Sequence, residues 1–225
     1  MDTHVFANRS DAGTRLGRLA AASLGEPAHG RTLVLALPRG GVEVGARVAE
    51  ALDADLEVTV ARKIGAPGNP ELAVGAVTIG GPVFWHMGIL QRLGLEPDDL
   101  TDEVVAERAE ARRRLHRYRG DRSLPALDDR TVIVVEDGVA TGATAVAALR
   151  EIRLYRPQRL ILAVPVGARE TIEALRAEAD DVWCLTCPSV LMSVGEWYAD
   201  FPQVTDEQVE QILAGSTVSD PPLRR

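Results

Sequence analysis

An open, mostly parallel α/β sheet with helices on both faces is the fold class this sequence predicts. Three observations carry that prediction. Short β-rich runs alternate with stretches whose apolar residues recur at helical spacing, the pattern of strand–helix–strand units. Residues 132–135 (VIVV) are β-branched without interruption, as a strand buried on both faces requires. The composition, 46% hydrophobic and 26% charged over 225 residues, is that of a globular chain long enough to bury its own core.

The elements follow in order. A first helix is expected after a cap at Ser10 or Asp11, with Leu16, Leu19, Ala20 and Leu24 on one face. Residues 32–37 form an apolar run stopped by Pro38, which reads as a buried strand. Pro38, Arg39, Gly40 and Gly41 are its loop. Val44, Val48 and Leu52 mark the next helix, and residues 56–61 the next strand. Gly65, Pro67, Gly68, Asn69 and Pro70 read as a long loop. Residues 74–79 and 83–85 pair as a hairpin around Gly80 and Gly81.

Residues 101–118 form a charged helix. Its acids come early (Asp102, Glu103, Glu107, Glu110) and its arginines late (Arg112, Arg113, Arg114, Arg117), the order a helix dipole favours. The arginine run is then a solvated helix end. A central strand at 132–135, a loop at 138–144 and a helix through Ala145, Leu149 and Ile152 come next. A strand at 160–166, a helix through Ile172, Leu175 and Ala179, and a strand at 182–185 complete the alternation. The chain reads as a single domain, 1–225. Within it, 62–120 is a flexible loop and insertion, 187–213 a small hood and C-terminal segment, and 215–225 a disordered tail.

Charge and composition exclude several functions. Lys and Arg number 25 against 33 Asp and Glu, a net charge of −8, so non-specific nucleic-acid binding is not expected. No apolar run approaches the ~18 residues of a membrane span. The first residues, MDTHVFANRSD, lack the order of a signal peptide. A cytoplasmic protein is expected, with no nucleic-acid or membrane partner. Cys184 and Cys187 are too few for a disulfide framework. Their CxxC spacing has no second pair and no histidine pair, so they read as structural and no metal ligands are assigned. His86 reads as a local polar residue, and His4, His29 and His116 have no partner pattern.

The most informative segment is 132–144, VIVVEDGVATGAT. A buried strand delivers Glu136 and Asp137 to its C-terminal end, where open α/β sheets bind ligands. Gly138, Ala140, Thr141, Gly142, Ala143 and Thr144, small or hydroxyl-bearing, follow as a loop, and a helix starts immediately after them. Backbone N–H groups at a helix N-terminus, with two threonine hydroxyls, make an anion cradle suited to phosphate. Carboxylates before the cradle can accept hydrogen bonds from sugar hydroxyls. Together they describe a site for a phosphorylated sugar. Neither GxxxxGK[ST] nor GxGxxG is present.

This segment resembles the phosphoribosyl-diphosphate (PRPP) signature of type I phosphoribosyltransferases. The resemblance runs over roughly residues 5–213, through FANRSDAG, LPRGG, RKIGAPGNPE and VGEWYADFPQVTDEQV, and is closest to a branch of stand-alone bacterial proteins. It implies a type I phosphoribosyltransferase-like sheet with a flexible loop or hairpin and a small hood. It implies that Glu136 and Asp137 hold the ribose hydroxyls, and that Ala140, Thr141, Gly142, Ala143 and Thr144 bind the 5′-phosphate. Glu136 stands where many members have Asp. In the family the first strand's loop binds the diphosphate, often through a cis peptide. That places Arg39, with Gly40 and Gly41, on the leaving group. Arg62 and Lys63, before a loop that closes over the diphosphate, are further substrate-binding candidates.

The implied activity moves the 5-phosphoribosyl group from PRPP to a small nitrogenous acceptor, with Mg²⁺ bound mainly through PRPP. Asp137, Glu136, Arg39 and Lys63 are the candidate catalytic residues, and Asp137 the candidate base for the acceptor nitrogen. The alternative is a PRPP- or nucleotide-sensing regulatory module without transferase activity. Dimers are common in the family. Trp197, Tyr198 and Phe201 supply three of nine aromatics within five residues. They either stack on a flat base or plug the hood onto the sheet.

Overall fold

The computed structural model describes residues 5–25 and 31–216. The expected tail from 217 onward, His4 and His29 lie outside the described residues. Five parallel strands form the central sheet: β1 (Thr32–Ala36), β2 (Asp55–Val58), β6 (Thr131–Val135), β7 (Arg159–Val166) and β8 (Asp181–Thr186). Their order is β2-β1-β6-β7-β8. The fold class is therefore the one the alternation predicts.

Strand residues alternate between two cores, because successive side chains point to opposite faces. Val34, Ala36, Ile133, Val135, Ile161 and Ala163 share a core with α1 (Arg9–Leu24) and α2 (Gly40–Leu52). Leu33, Leu35, Val132, Val134, Leu160, Leu162 and Val164 share the other with α5 (Ala143–Leu154) and α6 (Arg169–Leu175). Both faces are covered, so the strands carry unbroken apolar runs.

The remaining chain after β2 makes a separate antiparallel ribbon of three strands: β3 (Ala61–Ala66), β4 (Asn69–Thr78) and β5 (Phe84–Trp85). The expected strand at 56–61 therefore ends at Val58, and Ala61 already starts the ribbon. The glycines and prolines read as a long loop sit mostly within it. Ala66 pairs with Asn69 across a tight turn of Pro67 and Gly68, and the register shifts at Gly65. The predicted hairpin around Gly80 and Gly81 is present as the β4–β5 pair. One ribbon face packs on α5, where Ala76 meets Ala143 and Ala147. The other carries Ile64, Val74 and Val77 into a third core with Leu90 and Leu100.

Over the ribbon lie α3 (Met87–Leu93) and α4 (Thr101–Arg119), joined by a 3-10 turn at Pro97–Leu100. Within α4, Arg113 and Arg114 both bond Glu110, as a solvated helix end predicts. The sequence reading missed α3, and also α7 (Asp206–Ala214), whose start carries a reciprocal Thr205–Gln208 capping box. The first helix is capped earlier than expected, by Asn8, whose side chain accepts from the Asp11 amide.

Candidate active site

Strand order reverses direction between β1 and β6, so the loops leaving their C-terminal ends flank a crevice. The two motifs singled out in the sequence are those loops. They are in direct contact: the Leu37 amide donates to the Val135 carbonyl at 2.8 Å. Pro38–Arg39 is a cis peptide, after which Arg39 caps α2. Gly40 and Gly41, expected in the loop, form the first turn of that helix. A Cβ on Gly40 would lie 1.8 Å from Asp137 Oδ2, so only glycine lets this turn approach the acidic pair.

The two acids have different surroundings. Glu136 Oε1 accepts from the Thr144 hydroxyl at 2.8 Å. Its Oε2 is buried and has no hydrogen-bond partner among the described residues. Burial pushes the Glu136 carboxyl up to about 8; Thr144 opposes the rise and the Asp137 charge adds to it. Asp137 Oδ2 accepts from Arg9 Nε at 2.8 Å. Burial raises its carboxyl too, and Arg9 opposes that rise without cancelling it. The Asp137 carbonyl accepts from the Tyr198 hydroxyl at 2.5 Å.

Arg9 is the site neighbour that sequence reasoning missed. It lies at the start of α1, only 6% exposed, and no local pattern announces its partners.

The cradle loop is braced from behind. Val139 donates its amide to Val166 and accepts from the Ala168 amide, at 2.9 and 3.0 Å. Thr171 donates its hydroxyl to the Ala140 carbonyl at 2.6 Å. Gly142 caps α5 at φ 73°, a left-handed conformation that favours glycine, and no side chain caps the helix. The first-turn amides of α5 are thus free of side-chain competition for an anion. Thr141 is exposed, while Gly142 and Ala143 are buried. Thr141, Gly142 and Thr171 also line a groove of about 330 Å³ with Phe84 and His86. Burial holds the His86 ring below its ordinary value, so it is neutral at pH 7.

The basic candidates divide. Arg39 Nη1 lies 3.7 Å from Asp206 Oδ1 at the start of α7. Lys63 pairs across the ribbon with Ala76, on the face that meets α5 and its cradle. Its ammonium lies 3.2 Å from the exposed Glu71. Arg62 pairs with Val77 on the opposite face, and its Nε lies 2.8 Å from Glu107 of α4. The structure therefore brings Glu136, Asp137, Arg39, Gly40, Gly41 and the cradle together, sets Lys63 on the ribbon face that packs on α5, and turns Arg62 away.

The aromatic cluster is a plug. Tyr198 is buried between Phe6 and Phe201, with ring centroids at 5.4 and 4.7 Å. The Arg9 guanidinium sits 3.6 Å from the Phe201 ring centroid. Cys184, at the end of β8, donates to the Thr186 carbonyl, and burial pushes its thiol up. Among the described residues no cluster of three His, Cys, Asp or Glu could hold a metal.

Similarity to known proteins agrees with this geometry. A sequence profile of the phosphoribosyl transferase domain matches residues 10–199. The chain belongs to that family. Proteins of two Mycobacterium tuberculosis strains carry the name "Putative phosphoribosyl transferase" and are each 36% identical over 98% of this chain. The chain spans about half of their length, 51%. A crystal structure from Thermus thermophilus is 42% identical over 92% of this chain and 97% of its own, with a TM-score of 0.74. An Aquifex aeolicus structure at 12% identity, covering 85% of each chain with a TM-score of 0.51, shares the fold. No described helix is long and apolar enough to cross a membrane.

Proposed function

We propose that this chain transfers the 5-phosphoribosyl group of PRPP to a nitrogenous small-molecule acceptor, releasing diphosphate. The observation that carries the reading is the buried Glu136–Asp137 pair, with its unpartnered Glu136 Oε2, set directly before an uncapped helix N-terminus. A carboxyl oxygen buried without a hydrogen-bond partner fits a sugar hydroxyl that supplies one. The α5 amides and Thr141 take the 5′-phosphate a few ångströms further along the same loop.

In the transfer, the C1–O bond to diphosphate breaks as positive charge grows on the ribose and negative charge on the leaving group. Glu136 and Asp137 orient the ribose through hydrogen bonds to its hydroxyls. Arg39, with the Gly40 and Gly41 turn, faces the diphosphate, and Lys63 approaches from the ribbon. Arg39 leaves its long pair with Asp206 for a closer, doubly charged partner. With no protein cluster to cage a cation among the described residues, the site fits a Mg²⁺ that is held by the oxygens of PRPP. That ion would neutralise diphosphate charge when bound.

Calorimetric titration with PRPP, with and without Mg²⁺ and against ribose 5-phosphate, tests the donor. The expected result is Mg²⁺-dependent binding of PRPP tighter than that of ribose 5-phosphate. Equal binding of the two ligands would remove the diphosphate site and the transferase with it. Tight PRPP binding with no diphosphate release against any nitrogen acceptor would favour a sensing module.

A further inference from the structure

Arg9 is a charged side chain that the transfer reading leaves without a role. It is 6% exposed, and burying a guanidinium is costly unless every side of it is satisfied. Here each side is. Nε donates to Asp137 Oδ2 at 2.8 Å, Nη1 donates to the Pro202 carbonyl at 2.7 Å, and the flat face lies on Phe201. Gly40 of α2 closes in on the same carboxylate oxygen. Arg9 and Gly40 thus occupy the Oδ2 side of Asp137.

We propose that Arg9 is a positioning residue that clamps Oδ2 of Asp137, so that Oδ1 is the oxygen presented to a ribose hydroxyl. The proposal rests on the transfer reading of the site. It gives the two acids different tasks. Asp137 is an acceptor held in one rotamer by a hydrogen bond from the Arg9 guanidinium, which also opposes the rise that burial gives its carboxyl. Glu136, bonded only by the Thr144 hydroxyl, carries its proton over much of the neutral range. A neutral carboxyl can donate to one sugar oxygen while its neighbour accepts from the other. The pair therefore reads a vicinal diol with one donor and one acceptor, and two carboxylates side by side need not both be charged.

The clamp also reaches the hood. Pro202 and Phe201 follow Tyr198, whose hydroxyl holds the backbone of the same Asp137. A shift of the hood is thereby felt at the carboxylate from two directions.

A purely structural Arg9 would brace the hood without setting the protonation of Asp137, so pH separates the two. The groups acting on Asp137 are Arg9 from α1, Glu136 beside it and Tyr198, on which Glu43 of α2 also acts. Arg9 lowers the Asp137 carboxyl, so its removal lets burial raise that carboxyl further. Arg9→Met is then expected to weaken PRPP binding about ten- to a hundredfold at neutral pH, the loss of one charged hydrogen bond. The deficit should shrink as pH rises and Asp137 ionises. Profiles repeated on a Glu136→Gln background remove the second carboxyl that titrates in this window.

A loss of equal size at every pH, or binding within about twofold of the parent, would overturn the proposal. Should Arg9→Met not fold, Arg9→Met combined with Asp137→Asn leaves no unpaired buried charge. If Arg9 acts through Asp137, the double variant binds PRPP as Asp137→Asn alone does; a further loss in the double overturns the clamp. Wild-type protein that binds no PRPP at any pH would fell the transferase reading and the clamp with it. Wild-type binding with unaltered Arg9 variants would fell the clamp alone.

Discussion

The cradle loop and the β3–β4 ribbon both carry groups suited to an anion, yet they are built in opposite ways. The cradle uses backbone amides fixed by a left-handed Gly142 and braced by Val166, Ala168 and Thr171, with its acids buried. The ribbon uses long cationic side chains on a half-buried strand, one on each face and each already beside an acid of its own. Amides that are orphaned by a helix start need no change to meet a phosphate. A lysine beside Glu71 must leave one carboxylate for another anion, at little cost where both are in water. In the proposed reading the rigid half takes the sugar phosphate, and the adjustable ribbon adds Lys63 to the diphosphate end.

The largest expected effect breaks the rigid half. Asp137→Asn should lower PRPP affinity about a hundredfold, because a neutral amide replaces a charged acceptor. The amide oxygen still accepts from Arg9, so the circular dichroism spectrum should be unchanged; full affinity by calorimetry would refute the role of the pair. Next comes the proton on Glu136. Its carboxyl is raised from 4.5 to about 8 in the native state, so the native state holds a proton that the unfolded chain has released. Stability of the free protein should therefore fall as pH rises from about 5 to about 8. Glu136→Gln has no proton to lose and should flatten that slope in urea unfolding; an undiminished slope would place its origin elsewhere.

On the adjustable half, Lys63→Ala should weaken PRPP binding about tenfold yet leave ribose 5-phosphate binding and the melting temperature unchanged, since an exposed pair contributes only ~0–1 kcal/mol. A fall in ribose 5-phosphate affinity would put Lys63 on the wrong end of the ligand. Thr141→Val should weaken both ligands about fivefold, one neutral hydrogen bond, and equal affinity for ribose 5-phosphate would count against the cradle. The smallest effect is expected for Arg62→Ala: PRPP binding within about twofold, because its partner is Glu107 on the far face. A tenfold loss would show that the ribbon turns over when ligand binds.

The contrast also explains what the sequence disclosed. Residues 132–144 were legible because their chemistry is local: strand, acids, small residues and helix start follow one another without a gap. The five parallel strands were legible for a similar reason, since burial on both faces forces continuous apolar runs. The β4–β5 hairpin was legible too, but the β3–β4 turn was not, because Gly65, Pro67, Gly68 and Pro70 carry loop signals while the pairing of Ala66 with Asn69 makes them a turn and its flanks. Which way Arg62 and Lys63 point depended on that register. The α7 cap was present in the sequence as Thr205 and Gln208 and could have been read. Arg9 could not, because nothing near it in the chain predicts a carboxylate at Asp137 or a carbonyl at Pro202.

That separation has a consequence for how the protein is made. Arg9 is 128 positions ahead of Asp137 and 193 ahead of Pro202. A ribosome releases α1 long before either partner exists, and folding during synthesis proceeds from the N-terminal end. Until residue 202 emerges, the guanidinium lacks its Pro202 carbonyl and the Phe201 ring. The segment around Pro202 therefore closes a bond left open by the first helix, and a chain cut short before Phe201 would keep its sheet strands and the Arg9–Asp137 pair but leave the far side of that guanidinium uncovered.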